Sequence, residues 1–372
     1  MNGIAESFNK QRNSNVEFLR IIAMFMVVIG HCTGHGSIDT STLPNGIEKW
    51  FLDSMNLGKL GVAIFIMITG YFLSQAKFNI KRIVNVVLQT VFYSVTIFAI
   101  FCIFDRATYF TVMQAITNVF PVMMSQYWFV TMYVVLSFLM PFINKLLYNI
   151  DRKQFLWLLI VLLFFYCIEP TILLFNAMQI GGYISSGILY YCIGAYIRKY
   201  PDNIFSKKHL SNILTVIVFV LIMLVPAVRA ILGVQSGILN EKVETLFSLY
   251  SILFVLFSAF ILITFVNMKP HYNKFINFVG GCTFGVYLIH DHDFVRNLFW
   301  GNLFNNLSYA NSLVLIPYTL FSVLVVFTVC TLIEALRKYV IEKYVLKRLY
   351  DFICFLIDKI VMNINKVINK LI

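Results

Sequence analysis

Apolar segments recur along this chain at about 16–35, 58–76, 83–104, 127–148, 154–170, 181–198, 210–232, 246–267, 276–298 and 311–336. Each is near the ~20 residues that a helix needs to cross roughly 30 Å of hydrocarbon. Only 12% of the residues are charged, about half the share of an average soluble domain, so a bilayer is the expected solvent. The pattern predicts an all-α polytopic membrane protein with about ten transmembrane helices. The segments at 154–170 and 276–298 are the weakest members, being short or broken by Glu169-Pro170 and Gly280-Gly281.

The formal charge of +12 would suit a nucleic-acid partner, but the placement of the cations excludes one. Lys and Arg gather in short connections on alternate sides of the apolar segments. With the N-terminus in the cytoplasm, 23 of the 29 fall inside and 6 outside, among them Lys49, Arg106 and Arg296. That asymmetry is the topology signal of membrane proteins, and it puts both termini in the cytoplasm. Residues 1–15 then form a cytoplasmic tail and 16–336 one membrane domain. Residues 337–372 alternate apolar positions with Lys343, Lys347, Asp351, Lys359, Lys366 and Lys370, as an amphipathic helix on the cytoplasmic leaflet would. A coiled coil that docks a partner is the alternative for this tail. Residues 36–57 and 105–126 are expected as external pieces, the second of them as an external or re-entrant segment.

Seven scattered cysteines without a C-x-x-C pair read as small buried hydrophobes rather than a disulfide framework. No cleavable signal peptide is expected, because His31-Cys32-Thr33-Gly34-His35 follows the first apolar run in place of a small-residue cleavage site.

Ionisable groups inside a span are costly, so each is a candidate functional group. The first span carries Glu17 and Arg20 at its start and His31 far inside. Eleven positions separate Arg20 from His31, which is three turns plus about 20° and a rise of roughly 16 Å. Both therefore lie on one helix face, one near the cytoplasmic surface and one past the midplane. Glu17 sits three residues before Arg20 and can pair with it. His35 lies one further turn out, near the outer mouth, where a solvated helix end is the simpler reading.

A second polar cluster closes the ninth segment: Gly280-Gly281-Cys282-Thr283-Phe284-Gly285-Val286-Tyr287-Leu288-Ile289-His290-Asp291-His292-Asp293. His290 falls at a depth similar to that of His31. A metal site from His31, His290 and Asp291 is a conceivable use of these residues, but no short-spaced pair of ligands is buried, and no metal is expected. Lys81 and Arg82 flank the third segment as topology determinants or phosphate binders. Tyr127 and Trp128 mark an aromatic belt at an outer helix end.

Taken in order, these residues resemble the membrane-bound acyltransferase 3 family. Its acidic-x-x-Arg start and Arg-x10-His signature are matched by Glu17, Arg20 and His31. Its second-helix pattern of Phe-Phe-x-x-Ser-Gly-Phe/Tyr is similar to Phe65-Ile66-Met67-Ile68-Thr69-Gly70-Tyr71-Phe72, with Thr69 in place of Ser. Its Trp-Phe and Tyr-Leu-x-His patterns resemble Trp128-Phe129 and Tyr287-Leu288-Ile289-His290. The resemblance implies an enzyme that moves an acyl group, commonly acetyl, onto cell-surface carbohydrate at the bacterial cytoplasmic membrane. It implies acyl-CoA as co-substrate with no bound cofactor, and a surface polysaccharide or lipid-linked oligosaccharide as acceptor. His31 would be the general base or be transiently acylated, and Arg20 would orient the donor or polarise its carbonyl. Glu17, His35, Tyr287 and His290 would orient or shape the site. Lys81 and Arg82 would take the donor phosphates, and Trp128 with Asp291 would face the acceptor.

Two other classes fit the same residues. A transporter or flippase of a lipid-linked glycan would use His31 and His290 as a proton relay, although no inverted repeat is visible. A non-catalytic scaffold would join polysaccharide-assembly proteins through the C-terminal helix.

Overall fold

The computed structural model describes residues 13–36, 46–173, 182–202, 207–231, 243–310 and 312–371. Most of the expected N-terminal tail, with Lys10 and Arg12, lies outside them, as do residues 37–45 of the first external piece. Helix is the only regular secondary structure among the described residues. The protein is an all-α, multi-pass membrane protein.

The helices follow the apolar segments. They are α1 (Ser14–His35), α2 (Ile47–Ser54), α3 (Gly58–Leu73), α4 (Ile80–Phe104), α5 (Val112–Val119) and α6 (Trp128–Asn149). Next come α7 (Arg152–Leu163, running on as a π-type helix over Phe164–Leu173), α8 (Gly182–Lys199), α9 (Lys208–Ile231) and α10 (Ile252–Val266). The last are α11 (Lys274–Gly280), α12 (Thr283–His290), α13 (Leu315–Leu336) and α14 (Lys347–Leu371), with a π-type stretch over Arg337–Leu346 before α14. Side-chain caps start several of them. Asn13 accepts from the Asn15 amide at α1, and Asn79 from the Lys81 amide at α4. At α7, Asp151 and Gln154 form a reciprocal capping box.

Seven helical stretches among the described residues are long and apolar enough to cross a membrane, against the ten expected. The three that fall short have local reasons. α8 buries Ser185 and Ser186 and ends in Arg198-Lys199. α10 has 15 residues, a length of roughly 22 Å. The ninth segment is broken twice, at Gly281-Cys282 and at Asp291-His292. Yet the two ends of the domain share one end of the bundle: Gly280 packs on Glu17 near the start of α1, and Lys338, just past α13, donates to the Gly281 carbonyl.

In lipid, helices associate through close packing rather than hydrophobic burial, so small residues mark the crossings. A Cβ on Gly30 would stand 2.3 Å from the Gly58 backbone nitrogen, so α1 and α3 touch backbone to backbone one residue before His31. α3 packs in turn on α8, and α1 on α11, α12 and α13. This central group buries Leu19, Ala23, Val28, Ile64, Tyr190 and Val286. Outward faces carry exposed apolar side chains such as Ile103, Phe142, Val216 and Leu332, as a lipid-facing surface does.

The two external pieces are ordered where they are described. α2 lays Phe51 and Leu52 against Leu315, and the Trp50 indole donates to the Met223 carbonyl at 3.1 Å. Within 105–126, α5 presents Asn118 to Ser94, Gln126 and His292. The C-terminal tail is helical across Lys347–Leu371, with Phe352, Phe355 and Ile360 exposed and Asp358 ion-paired to Lys81 at 3.1 Å.

Candidate active site

Breaking the ninth segment is what builds the site. α12 ends at His290, and the chain turns at Asp291 into a single helical turn over Asp293–Arg296. His290, Asp291 and Arg296 are thereby brought to the C-terminal end of α1. His31 Nδ1 stands 2.9 Å from His290 Nε2 and 3.3 Å from Asp291 Oδ1. His290 Nδ1 stands 2.6 Å from the Val286 carbonyl oxygen. That carbonyl can only accept, so His290 Nδ1 carries a proton and Nε2 of the neutral ring carries the lone pair. His31 Nδ1–H then donates to His290, with the Asp291 carboxylate as a second acceptor. The remaining lone pair of the His31 imidazole sits on Nε2.

Arg296 fixes the carboxylate. Its guanidinium lies 3.3 Å from Asp291 Oδ1, 2.9 Å from the Asp291 carbonyl and 2.8 Å from Asp293 Oδ1. Behind Asp291, a polar network holds the turn: His292 Nε2 is 2.9 Å from Asn118 Oδ1, and the Ser94 hydroxyl lies 2.9 Å from Asn118 Oδ1 and 2.6 Å from Gln126 Oε1. Tyr127 donates to the Leu288 carbonyl at 3.0 Å and so braces α12 from α6. His35 lies edge-on to His31, with ring centroids 5.5 Å apart. His31, His35 and Asp291 each bring one ligand-type atom within 4.8 Å of the others. The set suits a cation poorly, since Arg296 already occupies Asp291 and His290 holds the His31 Nδ1 proton.

Below the histidine pair is a cavity of about 260 Å³, mostly apolar, whose lining includes Met24, Val27, Thr69, Tyr133 and Tyr287. Helix register places it against the site: His31 is four residues on from Val27, and His290 and Asp291 are three and four on from Tyr287. Arg20, Met24, Val27 and His31 thus form one stripe of α1. A second cavity of about 250 Å³ opens nearer the other end, lined by Lys77, Asn79, Arg82, Ser137 and Tyr133 among others. Tyr133 lines both cavities, and Arg20 and Arg82 both act electrostatically on it. Arg20 pairs with Glu17 at 2.6 Å and lies over the Phe72 ring.

His31, His35, His290 and Asp291 therefore meet, with Tyr287 adjoining. Trp128 does not join them: it stacks on Tyr183 with centroids 4.2 Å apart. Lys81 is turned to Asp358, whereas its neighbour Arg82 lines the mouth. Sequence reasoning missed Arg296, counted only as an external cation, and Lys77, counted only as a topology residue. The i,i+3 spacing of Asp293 and Arg296 was the one available signal for the former. It also missed Glu334, buried where Tyr93, Gln89 and Arg337 all bond to it.

The histidine pair and the apolar cavity thus lie within one multi-pass helical bundle. The acyltransferase domain family model matches residues 13–335, from the cap of α1 to the end of α13. The chain belongs to the acyltransferase 3 family and is a membrane acyltransferase. No curated protein and no solved structure matches it.

Proposed function

We propose that the protein is an O-acetyltransferase of a bacterial cytoplasmic membrane. It takes the acyl group from cytoplasmic acyl-CoA and delivers it to a hydroxyl of a surface polysaccharide or its lipid-linked precursor. The carrying observation is the His31 imidazole, whose Nδ1–H is held by His290 and Asp291 while Nε2 stays available as a base. A sugar hydroxyl is a weak acid, so its attack on a thioester needs a positioned base.

The two cavities that share Tyr133 support the donor side of this reading. Lys77 and Arg82 at the mouth suit phosphates, and the apolar cavity beyond suits the pantetheine arm and acyl group. The acceptor hydroxyl loses its proton to His31 Nε2 as its oxygen bonds to the thioester carbon. The carbon–sulfur bond then breaks, and the proton passes from His31 to the leaving thiolate. Asp291, 3.3 Å from His31, stabilises the transient imidazolium. On this reading the exposed apolar residues of α14 lie on the cytoplasmic leaflet.

The test uses purified protein in detergent with acetyl-CoA and a hydroxyl acceptor, without any ion gradient. Wild type should transfer acetyl, whereas His31→Ala should bind the donor and transfer none. Wild-type turnover by His31→Ala would refute the mechanism.

A further inference from the structure

Tyr287 is 2% exposed; its hydroxyl reaches no backbone carbonyl, and the polar group beside it is the Asp291 carboxylate, in an approach that is not well aligned. Its ring is fixed on three sides. Phe129 meets it edge-on with centroids 5.6 Å apart, Tyr127 at 6.0 Å and His290 at 6.2 Å. The neighbouring buried tyrosines behave otherwise: Tyr127 donates to the Leu288 carbonyl and Tyr190 to the Leu249 carbonyl. A buried hydroxyl without a well-aligned partner is costly, and folds avoid one unless something else is gained. Tyr287 alone of these three also lines the apolar cavity under the histidine pair. It stands one helical turn before His290 and Asp291, at the level where a donor filling the cavity would present its thioester.

We propose that the Tyr287 hydroxyl is a catalytic hydrogen-bond donor to the carbonyl oxygen of the acyl thioester. This rests on the acyl-thioester reading of the preceding section. As the acceptor oxygen bonds to the carbonyl carbon, the π electrons move onto the carbonyl oxygen. That oxygen becomes an anion in a mostly apolar cavity, where a positioned donor counts for more than it would in water. The phenol keeps its proton and donates the hydrogen bond throughout; the acceptor's proton goes to His31 Nε2 and then to the departing sulfur. When the carbon–sulfur bond breaks, the carbonyl reforms and releases the phenol. A donor aimed at such an oxyanion contributes more in the transition state than in the ground state, so it raises kcat rather than affinity.

The experiment compares wild type with Tyr287→Phe, and with protein carrying mono-, di- and trifluorotyrosine at position 287, in the detergent assay with acetyl-CoA. Tyr287→Phe should lower kcat by about 100-fold to 1,000-fold while the donor KM stays within threefold. Its unfolding midpoint should stay close to that of wild type, because the ring remains and only a poorly aligned contact to Asp291 is lost. The fluorinated tyrosines retain the hydroxyl and make it a stronger donor, so kcat should follow phenol acidity across the series at pH values where the phenol stays protonated. A kcat within threefold of wild type in Tyr287→Phe would overturn the proposal, as would a rate indifferent to phenol acidity. Wild type that transfers no acyl group from acetyl-CoA, with either a hydroxyl acceptor or water, would instead sink the donor reading itself.

Discussion

His31 Nδ1 and His290 Nε2 stand 2.9 Å apart although 259 positions separate them in the chain. The contact joins the outer third of α1 to the last residue of α12, and the Val286 carbonyl sets its polarity by claiming the other nitrogen of His290. One imidazole thus orients another, with a carboxylate alongside. Substitution of His290 by Leu should free the His31 ring and lower kcat by about 100-fold or more. His290→Gln, whose amide oxygen can take the place of the accepting nitrogen, should retain more activity than Leu. Steady-state kinetics of the two variants decide this; equal rates would mean that His290 only packs.

Asp291 is buried and shared between His31 and Arg296. In Asp291→Asn the hydrogen bond to His31 can persist, but the charge that balances the imidazolium is lost. A fall in kcat of about 100-fold is expected, with donor KM nearly constant. Arg296 retains Asp293 at 2.8 Å, so the fold should tolerate the change. A parallel loss of thermal stability would point to a structural ion pair instead.

At the mouth of the second cavity, neighbouring cations should differ. Arg82 lines the cavity, while Lys81 is exposed and paired with Asp358 on α14. Exposed pairs contribute little, so Lys81→Ala should change donor KM by less than about threefold. Arg82→Ala and Lys77→Ala should each raise it about tenfold, with kcat preserved and the effect shrinking at high salt. Measured KM values for the donor at two ionic strengths test the assignment.

Much of this was legible in the sequence, and the reasons are physical. Each apolar run, from 17 residues at 154–170 to 26 at 311–336, had to become helical because lipid leaves the backbone no other local partner. The in-phase step from Arg20 to His31 and the depth of His290 drew attention to two histidines that the fold brings together. Their meeting was not legible, because it depends on how α12 packs across α1. The breaks at Gly281-Cys282 and Asp291-His292 likewise turned one expected span into the piece that carries the site. Arg296 stayed hidden for the same reason: a cation in an external loop looks alike whether it faces water or a buried carboxylate.

The crossing that carries His31 is set by glycine. A Cβ on Gly30 would lie 2.3 Å and 2.6 Å from the nitrogen and Cα of Gly58, atoms that belong to the backbone of α3 and cannot step aside. Gly30→Ala should therefore push α1 from α3, cost about 1–3 kcal/mol and displace the adjacent His31. Gly34→Ala is the matched control, since nothing lies within 4 Å of its Cβ. Thermal unfolding and turnover should both fall in the first variant and hold in the second.

Glu334 offers the last test, on stability rather than chemistry. Its carboxylate accepts from Tyr93 at 2.6 Å, Gln89 at 3.1 Å and the Arg337 guanidinium at 2.8 Å and 2.9 Å. Gly285 gives it room, because a Cβ there would come within 2.4 Å of the carboxyl group. Glu334→Ala leaves Arg337 buried with only the half-exposed Glu342 as an ionic partner, at 3.0 Å. A loss of about 3–5 kcal/mol follows for breaking one side of a buried pair. Replacing both residues, as Glu334→Leu with Arg337→Leu, removes the stranded charge and should recover a good part of that loss. A double-mutant cycle by thermal unfolding measures the coupling, and additive losses would show that the pair acts as two independent contacts.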